Sequence, residues 1–130
     1  MVLKGGLAPT QLRKISDYVA ENLGANIAVK NLADLLGLSP HHFGQAFKAS
    51  VGVSPHRYLV VQRVRRAEEL LRANDFSISE IARLVGFSSQ SHLTLHFRKA
   101  SGTTPARYRR LQRANAGGQD ARAPIRKGSD

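Results

Sequence analysis

Residues Leu32–Tyr58 read LADLLGLSPHHFGQAFKASVGVSPHRY, and residues Ile81–Tyr108 read IARLVGFSSQSHLTLHFRKASGTTPARY. The second stretch repeats the first. Gly37 matches Gly86 at an offset of 49, and Phe47, Gly52, Pro55 and Tyr58 match Phe97, Gly102, Pro105 and Tyr108 at an offset of 50. One extra residue therefore sits between Gly86 and Leu93. Each copy has the layout of a helix, a turn containing glycine and a second helix. Two such copies in a chain of formal net charge +11 suggest a protein that grips a long polyanion at two points. Duplex DNA is the obvious candidate.

The bulk composition agrees. At 130 residues the chain is about one domain long, and 42% hydrophobic residues suffice for a small core. Twenty Lys and Arg stand against nine Asp and Glu, a balance that favours phosphate-bearing partners or an anionic membrane surface. The absence of cysteine excludes disulfides, thiolate metal sites and Cys nucleophiles. No apolar run approaches the ~20 residues of a membrane span, and Met1–Leu12 lacks the apolar core of a signal peptide. A cytoplasmic, nucleoid-associated protein is expected, with no membrane partner. No phosphate loop, paired carboxylates or Ser/His/Asp pattern stands out, so neither an enzyme nor a cofactor is expected.

The rest of the chain is helical in pattern, and the predicted fold class is all-α with seven helices. Leu12, Ile15, Val19 and Leu23 follow helical spacing up to Gly24. Val29–Leu36 predicts a short second helix stopped by Gly37, with a weak start because Ala28 cannot cap it. Ser39-Pro40 and Ser54-Pro55 open the third and fourth helices, Ser as the cap and Pro in the first turn. Leu38 with Phe43, and Val53 with Tyr58, occupy staple positions. The fourth helix runs to about Ala73 along Val60, Val64, Ala67 and Leu71. Ser77-Ile78-Ser79-Glu80 is a capping box for a fifth helix ending near Gly86. Ser88 is placed to cap a sixth, Ser89 to about Ser101, and Thr104-Pro105 opens a seventh ending near Arg113. Residues 1–9 read as a linker remnant, 10–54 and 77–113 as two helix-turn-helix subdomains, and 55–73 as the helix joining them. The tail 114–130, with Gly117-Gly118 and Pro124, reads as disordered.

In a DNA-binding helix-turn-helix the second helix enters the major groove and the first braces it. Those second helices divide into two faces here. Phe43, Ala46, Phe47 and Ser50 point inward in the first copy, and Leu93, Phe97 and Ala100 in the second. His41, Gly44, Gln45 and Lys48 remain outside in the first, and Gln90, Ser91, Thr94, Leu95 and Arg98 in the second. Gln can pair with adenine edges, Thr can touch a thymine methyl, and Lys and Arg reach phosphate or guanine. The bland alternative is a solvated face. Arg63, Arg65, Arg66 and Arg72 on the long helix read as phosphate contacts or as solvated residues, some paired with Glu68 and Glu69.

Here the chain resembles the DNA-binding domain of the AraC/XylS family of bacterial transcription regulators. The matching pieces are Leu32-Ala33 with Gly37-Leu38-Ser39, Phe43 with Phe47-Lys48, Gly52-Val53-Ser54-Pro55 and Tyr58. They continue with Arg63, Ala67 and Leu70-Leu71, then Ile81-Ala82 with Gly86-Phe87-Ser88-Ser89-Gln90-Ser91, Phe97-Arg98-Lys99, and Gly102, Pro105 and Tyr108-Arg109. Together they cover about Gly5–Arg110. The resemblance implies two helix-turn-helix subdomains joined by the long fourth helix, with the helices at Pro40–Val51 and Ser89–Ser101 entering successive major grooves. By position it assigns base reading to His41, Gly44, Gln45, Gln90, Ser91, Thr94 and Leu95. Two depart from the family pattern: Gly44 brings no side chain, and Leu95 is apolar where the position is frequently polar or Arg. Phosphate contact is expected of Lys48, Arg63, Arg66, Arg98 and Lys99. Family members usually carry a separate sensing or dimerising domain N-terminal to this one. The chain is expected to be a short member or a fragment, monomeric by itself, with dimerisation left to a missing N-terminal domain and RNA polymerase as a further partner.

His92 and His96 stand four apart on one helix, a spacing open to a metal, but no third ligand has an obvious place beside them. Because His96 aligns with inward Ala46, a partly buried structural role is expected and no metal. Two main readings thus remain for the whole chain, with a protein-interaction module as a weaker third. One is sequence-specific binding of double-stranded DNA that regulates transcription. The other is non-specific nucleoid or anionic-surface binding by charge alone.

Overall fold

The structure is a computed structural model that describes residues 5–73 and 75–121, the last six by their backbone only. Among the described residues there are seven α-helices and no strand. They are α1 (Pro9–Glu21), α2 (Val29–Leu35), α3 (Pro40–Val51), α4 (Pro55–Ala73), α5 (Ile78–Leu84), α6 (Gln90–Ser101) and α7 (Pro105–Ala121). The expected all-α fold with two helix-turn-helix motifs and a long central helix is present. The chain divides into two compact units. The first runs to Arg63 and takes in Leu84–Gly86; the second holds Val64–Arg83 and the chain from Phe87 onward.

The caps that define the helices are where the sequence puts them, with one exception. Ser39 accepts from the His42 N–H at 3.1 Å, Ser54 from the Arg57 N–H at 3.2 Å, and Thr104 from the Arg107 N–H at 3.1 Å. The box at α5 is reciprocal: Ser77 Oγ accepts from the Glu80 N–H and Glu80 Oε1 accepts from the Ser77 N–H. That backbone N–H, first among the causes, holds the Glu80 carboxyl below its ordinary range. The exception is α6. Ser89, not Ser88, caps it by accepting from the His92 N–H, and Ser88 turns instead to His92 Nδ1 at 3.0 Å. The weak start of α2 is repaired from inside the helix, where Asn31 Oδ1 accepts from the Ala28 N–H. The C-terminal end of α7 also differs from expectation. It passes Arg113 and reaches Ala121, through Gly117-Gly118, because no residue before Pro124 forbids the helix. The tail beyond Ala121 lies outside the described residues, as do residues 1–4 of the expected linker.

Each unit has its own apolar core. In the first, Ile15 and Val19 of α1 meet Leu32 and Ala33 of α2, Phe43, Ala46 and Phe47 of α3, and Leu59 of α4. Leu7, inside the segment read as a linker, belongs to this core: it is 4% exposed, and its N–H donates to Ser50 Oγ at 2.7 Å. In the second unit Val64, Ala67, Leu71, Ile81, Ala82, Phe87, Leu93 and Phe97 are buried. Ala100, expected inward, is exposed. The repeat extends to ring geometry. Phe47 meets Tyr58 edge-on at 5.3 Å, and Phe97 meets Tyr108 edge-on at 5.4 Å. Gly52 and Gly102 close α3 and α6 alike, their N–H groups donating to the Lys48 and Arg98 carbonyls.

Candidate nucleic-acid interface

What positions the outward faces of α3 and α6 is the burial of the opposite faces. On α6, Leu93 and Phe97 are wholly buried, which fixes the rotation of the helix about its axis. Gln90, Ser91, Thr94, Leu95, Arg98 and Lys99 then share the other side, and these six side chains line one open surface depression. All but the half-buried Thr94 are exposed. The set offers an amide, two hydroxyls, an apolar tip and two cations. On α3, Phe43, Ala46 and Phe47 are buried, and His41, Gln45 and Lys48 are exposed on the other side. Gly44 lies among them, with open space where a Cβ would stand. Neither helix carries an acid in its first turn, and both carry basic residues in the last.

The arginines of α4 differ in their surroundings, and Arg65 is exposed. Arg63 is half-buried, its Nε shielded without a hydrogen-bond partner, and burial pushes its guanidinium pKa down. Arg66 is exposed but bonded to Glu69 at 2.8 Å. Arg72 donates to the Tyr108 hydroxyl at 2.7 Å, a link between α4 and α7. Arg109 extends that link by donating to the Phe76 carbonyl at 2.6 Å and to the Leu71 carbonyl. The sequence reading had no role for the Arg72–Tyr108 and Arg109 contacts. The signals for them were the offset of 50 between Tyr58 and Tyr108 and the family match at Tyr108-Arg109.

The histidines form a ring cluster on α6. His96 stacks on Phe87 with centroids 5.5 Å apart and planes within 10°, and is half-buried, as its alignment with Ala46 suggested. The His92 and His96 rings lie 5.1 Å apart. No group of three or more His, Cys, Asp or Glu side chains capable of holding a metal occurs among the described residues.

Comparison with known proteins places this geometry. The helix-turn-helix domain family matches residues 32–111. The probable transcriptional regulator LumQ of Photobacterium leiognathi is 34% identical over 94 residues, covering 72% of this chain and 38% of that protein. The helix-turn-helix transcriptional regulator RipA of Corynebacterium glutamicum is 36% identical over 101 residues, covering 78% and 30%. The chain thus spans about a third of the length of the curated relatives it matches. Among solved structures, the DNA-binding domain of the global transcriptional factor AdpA, crystallised with a target DNA, superposes with a TM-score of 0.79 at 34% identity. The match covers 82% of this chain and 96% of that one. An AraC-type transcriptional regulator of Chromobacterium violaceum gives a TM-score of 0.73 at 26% identity over 79% of this chain and 92% of that one. The chain therefore belongs to the AraC/XylS-type helix-turn-helix family, and the two repeated motifs are that family's DNA-binding domain.

Proposed function

We propose that the protein binds a specific sequence of double-stranded DNA, with the outward faces of α3 and α6 each in a major groove, and that it thereby regulates bacterial transcription. The observation that carries this is the α6 face. Six side chains able to address base edges and phosphates stand together on a helix whose other side is locked into a core. Gln90, Ser91, Thr94 and Leu95 read bases there, and Arg98 and Lys99 hold phosphate. His41, Gln45 and Lys48 do the corresponding work on α3. Because the two faces carry different residues, the DNA site is asymmetric. RNA polymerase is a further partner in this reading, and the chain binds its DNA as a monomer. Regulation of transcription places the protein on the cytoplasmic nucleoid, and no described helix is long and apolar enough to cross a membrane.

Selection of bound duplexes from random DNA, followed by competition, tests the reading. A specific complex survives excess random duplex, whereas binding by charge alone does not. Thirteen Lys and Arg lie between His41 and Arg113 against four acids. If about five of them neutralise phosphates, log K should fall against log salt with a slope near −4 to −5. A slope near zero, or a site that random DNA competes away, overturns specific binding through these faces.

The division of labour on α6 is separately measurable. Gln90→Ala should cost about 1–3 kcal/mol on the selected site and relax preference at one base pair, as the loss of a bidentate pair does. Arg98→Ala should weaken selected and random DNA alike and reduce the salt slope by about one. Equal losses on both DNAs for a folded Gln90→Ala protein would show that this residue does not read sequence.

A further inference from the structure

One residue on the α6 face is unlike its neighbours. Leu95 is 48% exposed, the most exposed large apolar side chain among the described residues. It stands beside Thr94 in the depression that Gln90, Ser91, Arg98 and Lys99 complete. The repeat sharpens the contrast. At the two aligned positions the first copy carries Gly44 and Gln45, and the second carries Thr94 and Leu95. The first pair has no apolar group to offer a base edge; the second brings a threonine and a leucine to the same depression.

Leaving a leucine in water gains nothing, and covering it is favourable only against another apolar group. In the major groove the one apolar group on a base edge is the C5-methyl of thymine. The cations of Arg98 and Lys99 on the same face select a polyanion rather than an apolar protein surface as the partner. We infer that Leu95, with Thr94 in the same depression, reads a 5-methylpyrimidine, so that the part of the site under α6 contains a thymine recognised by its methyl group. The part under α3 is read instead by hydrogen bonds from Gln45. This rests on the DNA-binding reading above and adds the chemistry that one face recognises.

The probe is deoxyuridine, which differs from thymidine only by the missing methyl. Each thymine of a selected duplex is replaced in turn and affinity is measured with the full chain. One or two positions, confined to one end of the site, should bind about fourfold more weakly, the value of one buried methyl. Leu95→Ala should show a comparable loss on the parent duplex with an unchanged melting temperature, since the residue is exposed. On the deoxyuridine duplex it should show little further loss, as expected for two groups in contact. If no deoxyuridine position weakens binding, or if the protein and DNA losses simply multiply, the methyl reading is wrong while specific binding stands. If random selection yields no preferred sequence, both readings fall.

Discussion

Phe97→Ala should unfold the second unit, at a cost of about 3–5 kcal/mol, the range for removing a buried phenylalanine. The ring is completely buried and meets Tyr108 of α7 edge-on at 5.4 Å. Truncation therefore leaves a cavity where α6 and α7 join, and it removes an aromatic pair as well as apolar area. A small unit has little stability to lose, because whole domains hold only about 5–15 kcal/mol. Urea denaturation and thermal melting read the effect directly. Hydrogen exchange localises it: amides of α6 and α7 should lose protection while those of α1–α3 keep theirs. Leu95→Ala, two residues away on the exposed side, is the control and should fall within about 0.5 kcal/mol of the parent. Should Phe97→Ala melt like that control, the rotation of α6 is wrong, and with it the identity of every outward residue on that helix.

That rotation was legible in the sequence because it depends on a period. Apolar residues at Leu93 and Phe97 mark one face of a helix wherever it packs, so the opposite face follows by elimination. Caps were legible for a similar reason. Ser39, Ser54, Ser77 and Thr104 act on residues three positions away, and local chemistry is enough to place them. The failures have the opposite character. Ala100 continues the inward stripe of α6 but is exposed. The aligned Ser50 is covered by Leu7, a residue from outside the repeat that the repeat could not announce. At α6 two adjacent serines could each have capped, and the single inserted residue made the choice between Ser88 and Ser89 ambiguous. Arg63 and Arg72 of α4 were the hardest to assign, since their surroundings are set by distant residues, whereas the Arg66–Glu69 pair is local. Arg72 reaches Tyr108, and Arg63 lies against Gly86, separations of 36 and 23 residues that no local pattern encodes. The reading faces were thus written in local periodicity, and the residues that brace them were not.

Gly37→Ala and Gly86→Ala should separate two glycines that the repeat makes equivalent. Both have positive φ, +68° and +97°, so any side chain at either site incurs the left-handed penalty of roughly 1–2 kcal/mol. There the similarity ends. A Cβ on Gly37 would meet nothing within 4 Å. A Cβ on Gly86 would lie 2.7 Å from Arg63 Nε and would overlap the Leu23 carbonyl oxygen, all within the first unit. An arginine side chain can yield, but a backbone carbonyl just past the end of α1 yields only if that segment shifts. Overpacking of this kind adds about 1–3 kcal/mol. Gly37→Ala should therefore cost about 1–2 kcal/mol and Gly86→Ala about 2–5 kcal/mol, measured by urea denaturation of the two variants side by side. Gly24→Ala isolates the steric part. Its φ is ordinary, but its Cβ would lie 2.7 Å from the Leu84 carbonyl oxygen, so it too should destabilise where a glycine-to-alanine change in open space would not. Adding Arg63→Ala to Gly86→Ala should recover only a fraction of the loss, because the Leu23 carbonyl remains in place. Equal costs for Gly37→Ala and Gly86→Ala would mean that neither the Leu23 carbonyl nor Arg63 crowds Gly86, since those contacts are what the two sites do not share.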